Sequence, residues 1–150
     1  MLSIAALVAI VFVVGNAMVK DLRQSALRAE AKLMLLYIQR LENVHFIDEG
    51  TYAFWPEEYG TDLNAEPACS RPEGAQKLGF VLRKCGNQPE DGGPLYTYRV
   101  ESGESNQGFV AYATSGRDRQ GRDLVCLSAD RQDIWRVSKS GEPVHVRQCE

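Results

Sequence analysis

The sequence predicts an α+β fold: a long N-terminal α-helix, hydrophobic in its first half, packed on a small antiparallel β-sheet head. Three observations predict it. Met1 to Val19 carries no charged residue. Residues 17–48 contain neither Pro nor Gly and place apolar residues at three- and four-residue spacing. After residue 94 the apolar period changes to two, in short runs divided by polar or Gly-containing turns.

The first segment is uniform rather than amphipathic. Ile4 to Val14 is entirely apolar, and the first charge is Lys20. About 20 apolar residues match the hydrocarbon thickness of a bilayer. A core helix of so small a domain would show a polar face, and none precedes Asn16. A secretory signal peptide is the rival reading, with Gly15-Asn16-Ala17 as a small-residue cleavage site, but no basic n-region precedes the apolar run. Residues 1–24 are therefore read as a hydrophobic, membrane-competent helix segment.

From Lys20 the pattern becomes amphipathic. Leu22, Ala26, Ala29, Leu33, Leu36, Tyr37 and Val44 recur as one face, expected to be the buried one. A single helix from near residue 2 to about 47 follows, roughly 70 Å long. Half of so long a helix must find partners outside its own domain. Gly15-Asn16 is its weakest point, a kink or a close helix contact. Asp48-Glu49-Gly50-Thr51 ends it, with Gly50 placed for a left-handed cap.

The head spans residues 25–150: the second half of the helix, a loop over 51–94 and a β-meander over 95–150. Pro and Gly break any long element in the loop, and Phe54-Trp55-Pro56 is expected to anchor it on the sheet. Strand candidates are Leu95–Val100, Gly108–Thr114, Leu124–Leu127, Ile134–Val137 and Val144–Arg147.

The four cysteines are Cys69, Cys85, Cys126 and Cys149. An even count beyond an apolar N-terminus predicts two disulfides and an oxidising compartment. Three pairings are possible; Cys69–Cys85 with Cys126–Cys149 closes the shortest loops. Each bond would stabilise the fold by about 3 kcal/mol on chain-entropy grounds. The basic flank Lys20, Arg23, Arg28 and Lys32 argues instead for a cytoplasmic head. A short basic leader, once ahead of Met1 and since removed, resolves the conflict.

Chemistry is thin. Net charge is −3 with both signs mixed along the chain, so no basic stripe marks a nucleic-acid ligand. His45 and His145 sit in no Cys/His or Ser/His signature and are expected at the surface or an interface. Asp118-Arg-Gln-Gly-Arg-Asp123 has too few oxygen ligands and too many arginines for calcium, and reads as a plain turn. There is no phosphate loop, C-x-x-C pair or nucleophile motif. The expectation is no catalysis, no metal and no cofactor.

Several stretches, in order, resemble type IV pilins. Ala29-Glu-Ala-Lys-Leu-Met-Leu-Leu-Tyr-Ile, leading to Glu49-Gly50-Thr51-Tyr52, is similar to the pilin helix passing into its acidic Gly-Thr-Tyr turn. Leu95-Tyr-Thr-Tyr-Arg-Val and Phe109-Val-Ala-Tyr-Ala-Thr resemble the family's first sheet strands, and Asp123–Val137 its later pair. Cys126 and Cys149 match the disulfide bounding the family's C-terminal loop. Three departures stand out: the start is Met1-Leu-Ser-Ile-Ala where the family begins with Phe and has a glutamate at the place of Ala5, the family's helix-breaking Pro is absent, and the family's leader is not in this sequence.

The resemblance implies a pilin-like fold and a non-enzymatic structural subunit. Met1 would be the processed, N-methylated N-terminus, cut by a prepilin peptidase. Residues 1–24 would sit in the inner membrane, then in the core of an extracellular pilus filament. Ile4, Ala5, Leu7, Val8, Val11, Phe12 and Gly15 would pack there against other copies, with assembly machinery as a further partner. With Ala5 in place of the glutamate, the Met1 amine would turn to a backbone carbonyl or to Ser3. A pseudopilin or minor subunit of a type II secretion-like piston is one alternative. A single-pass inner-membrane protein with a periplasmic domain is another.

Overall fold

The computed structural model describes residues 2–60, 69–83, 85, 93–103, 108–118 and 121–148, with side chains for Val19, Leu22 and from Gln24 onward. Helix α1 runs unbroken from Leu2 to Glu49, across Gly15-Asn16. It ends where the residue types demand: the Gly50 amide donates to the Phe46 carbonyl at 2.9 Å, and Gly50 has φ +72°, a conformation that favours glycine.

Five antiparallel strands follow in the simple order β1-β2-β3-β4-β5. They are β1 (Trp55–Tyr59), β2 (Tyr96–Ser102), β3 (Phe109–Ser115), β4 (Ile134–Ser138) and β5 (Val144–Arg147). A five-residue helix α2 (Glu73–Lys77) lies between β1 and β2. The expected meander therefore holds for β2, β3, β4 and β5. Strand β1 and α2 were not anticipated within the 51–94 loop. Pro56 argues against a strand, but an edge strand tolerates it because one side needs no ladder donor.

The candidate strand Leu124–Leu127 is corrected. The Asp123 carboxylate accepts the Val125 and Cys126 amides at 2.8 and 2.6 Å, taking the donors a ladder would use. The segment turns instead, with Leu127 at φ +54°.

The second half of α1 packs across β3 and β4. Small residues Ala111 and Ala113 on β3 let the helix approach the sheet, flanked by Tyr98 and Val100 on one side and Trp135 and Val137 on the other. Ala31, Leu35 and Ile38 of α1 are fully buried here.

Two devices pin the described residues between β1 and β2. Phe80, wholly buried, inserts among Tyr37, Trp55, Tyr59 and Tyr98 with ring centroids 5.9–6.0 Å away. Cys69 and Cys85 form the disulfide expected from their short loop, with Cα atoms 5.7 Å apart. Of the anchor triplet, Trp55 is buried with its indole N–H donating to the Tyr98 carbonyl at 3.2 Å, whereas Phe54 is half-exposed. Gly74 permits α2 to cross closely, since a Cβ there would meet the Phe54 carbonyl oxygen at 2.3 Å.

Candidate interaction surface

The main correction to the sequence reading concerns which face of α1 is buried. Leu22, Leu33, Leu36, Tyr37 and Val44, expected inside, are exposed. The face on the sheet is Ala31, Leu35, Ile38 and Glu42, supported at its edges by Leu27, Met34 and Leu41. At 3.6 residues per turn these two sets lie on roughly opposite sides of the helix. The amphipathic signal was real, but α1 carries two apolar faces, and the pattern alone does not say which one meets the sheet.

The outer face is long and mainly apolar, broken by the exposed Arg40, which falls in line with Leu22. Leu22 is 70% exposed, Leu33 68% and Ile47 80%. From Val19 to Ile47 the stripe extends about 40 Å along the helix. Ala26 and Ala29 fall on the same side and are exposed, which lets another backbone come close. Of the charged side chains of α1, Arg28, Glu30 and Glu42 turn toward the head, while Arg40, Asp48 and Glu49 are exposed. By helical register, positions 4, 8, 11 and 15 continue the same line toward the N-terminus. The backbone of Ile4, Ala5, Leu7, Val8, Val11, Phe12 and Gly15 is α-helical, but their side chains lie outside the described residues, as Met1 does altogether. Among the described residues no helix is long and apolar enough to cross a membrane.

Polar contacts fix how the head presents this face. The buried Asp133 is their hub. Its Oδ1 accepts from Arg28 Nε of α1 at 3.2 Å and lies 2.8 Å from His145 Nε2 on β5. Its Oδ2 accepts from the Tyr96 hydroxyl at 2.9 Å and from the Trp135 indole at 2.7 Å. Further along, Gln39 donates to the carbonyls of Ser138 and Gly141 at 2.8 and 3.0 Å. Glu30 Oε1 accepts the Leu95 amide at 2.9 Å. Burial raises the Glu30 carboxyl above its ordinary range, against the lowering effect of the Leu95 and Tyr96 amides.

Of the two placements expected for His145, the surface or an interface, the open surface is not the one it takes. Its side chain is 13% exposed and its ring stacks on Trp135 at 3.9 Å. The sequence signal misled: the two-residue period of Val144–Arg147 sets Val144 and Val146 on one face and His145 on the other, and it is the valines that are exposed, at 48% and 52%. The Lys32 ammonium lies 4.7 Å from the Trp135 ring centroid, a cation–π contact from α1 to the same cluster.

Of the Asp118–Asp123 loop, residues 119 and 120 lie outside the described residues; on either side of them the Gly121 amide donates to the Asp118 carbonyl at 2.9 Å. Arg122 donates to both carboxylate oxygens of Asp118 at 2.9 Å, through its amide and its Nε. Asp123 points inward, where the Ser115 hydroxyl donates to it. Among the described residues no group of three or more His, Cys, Asp or Glu is placed to hold a metal ion. Cys126 is disulfide-bonded, and Cys149 lies outside the described residues.

No protein-family model, curated protein or solved structure matches the chain. The architecture and the outer face of α1 must therefore carry the functional reading.

Proposed function

We propose that this chain is a structural subunit that polymerises through α1 into an extracellular filament of the type IV pilus kind, with a pilin-like head as the outer shell. The observation that carries the reading is the second apolar face of α1, opposite the face used by the sheet. A helix needs only one apolar face to fold onto its own domain. A second, about 40 Å long and in register with the apolar N-terminal run, fits packing against other helices.

In this reading residues 1–24 sit in the inner membrane before assembly and in the filament core afterwards. Both environments leave backbone polar groups satisfied inside the helix. Small residues Ala5, Ala6, Ala9, Gly15 and Ala17 would allow close helix approach. Repeated head-to-tail contacts that do not close give an open filament. The Cys69–Cys85 bond, and a proposed Cys126–Cys149 bond, would hold the head folded outside the cell. The subunit would need a prepilin peptidase and an assembly machine, and no nucleic acid or catalytic group enters its role.

Shearing intact cells and sequencing the N-terminal peptide in the released fraction tests this. The reading expects the chain there, beginning at an N-methylated Met1. A chain confined to the inner membrane would contradict it and favour a secretion-piston pseudopilin or a single-pass membrane protein.

A further inference from the structure

We propose that Glu42 is a proton-operated latch between the end of α1 and the turn that leads into β1. Glu42 lies on the buried face of α1 and is fully inaccessible. Its Oε2 accepts the Ala53 amide at 3.0 Å, while its Oε1 has no hydrogen-bond partner among the described residues. A carboxylate buried with a single neutral donor is poorly solvated; a carboxylic acid in the same place keeps the Ala53 bond and carries no charge.

The surroundings offer little to stabilise the ionised form. On α1 the neighbouring titratable group is His45, half-buried one turn on. From the turn comes the Tyr52 phenol, itself buried and without a hydrogen-bond partner among the described residues. Strand β3 contains no charged residue, and Arg136, the only cation of β4, is exposed. Beyond β4 the Lys139 ammonium lies over the Phe46 and Tyr52 rings at 5.1 and 5.8 Å. Burial pushes the Glu42 carboxyl up to about 7, with the Ala53 amide opposing.

The turn is built to respond. Tyr52 stacks on Phe46 at 4.6 Å, so the turn packs on the last turn of α1. A cavity of about 280 Å³, lined by His45, Thr51, Tyr52, Ala53 and Phe54 among others, adjoins it and leaves room for movement. The sign follows from linkage. The folded state holds the proton more tightly than the unfolded one, so the latch is closed under acidic conditions and loosens as pH rises through about 7. The proton comes from solvent and no other reactant is needed. The latch stands whether or not the chain polymerises.

Amide hydrogen exchange at Ala53, in the full chain in detergent between pH 5.5 and 8.5, tests the latch. After correction for intrinsic exchange, protection should fall by up to about one and a half orders of magnitude between pH 5.5 and 8.5. In Glu42→Gln, which keeps the shape and the acceptor, protection should stay flat. Equal profiles in both proteins, or flat protection in the wild type, would overturn it. Should Glu42→Gln not fold, the ¹³C shift of the Glu42 carboxyl in the wild type decides. Titration close to neutrality supports the latch, and titration in the ordinary glutamate range rejects it.

Discussion

Leu33 and Leu35 stand two positions apart on α1 and on opposite sides of it: Leu35 is fully buried against the sheet, and Leu33 is 68% exposed. The two residues separate folding from assembly. Leu35→Ala should cost about 2–5 kcal/mol of head stability, as a cavity under the helix. Leu33→Asp should change stability by no more than about 0.5 kcal/mol, because the side chain is mostly exposed. If α1 serves as the assembly face, the second variant should nevertheless stop assembly. Denaturation curves together with electron microscopy of sheared material would measure both effects.

Phe80 should behave as the main anchor of the region between β1 and β2. It is enclosed by four aromatic rings from α1, β1 and β2. Phe80→Ala is expected to cost about 3–5 kcal/mol. Exposed Val81, one residue later, should tolerate Val81→Ala within about 0.5 kcal/mol. Thermal unfolding of the two variants gives the comparison.

Asp133 should be the least replaceable polar residue of the head. Asp133→Ala would leave Arg28, Tyr96, Trp135 and His145 without the carboxylate they share. Removing one partner of a buried charge network costs about 3–5 kcal/mol. Asp133→Asn should cost less, since one oxygen still accepts. Trp135 fluorescence provides a local readout, because its indole N–H is bonded directly to Asp133.

The Cys69–Cys85 bond closes a loop of 16 residues in sequence separation. Replacing both cysteines by serine should lower stability by about 2–4 kcal/mol. The fold should survive, because Phe80 still fastens the same region. Chemical denaturation of the double variant, with Cys126 and Cys149 intact, would check this.

Much of the architecture was legible in sequence. The helix limits follow from the absence of Pro and Gly over 17–48 and from Gly50, and four strands follow from their period of two. Strand β1 was hidden by Pro56, which only an edge position can absorb. The false strand at Leu124–Leu127 shows the opposite failure, an apolar run overruled by the Asp123 side chain capturing two amides. The inversion of the α1 faces is the most instructive. Leu22, Leu33 and Val44 form as regular a stripe as Ala31, Leu35 and Ile38, and periodicity carries no information about which stripe finds the sheet. Asp133 and Glu42 were equally invisible, since each gains its role from partners brought together only by the fold.

The most direct test of the central claim is photo-crosslinking in intact cells from a reactive residue placed at position 33, with one at exposed position 142 as control. Polymerisation through α1 predicts a ladder of covalent multimers of this chain from position 33 and little from position 142. A product that is only monomer, or only monomer joined to lipid or to a different protein, would contradict it.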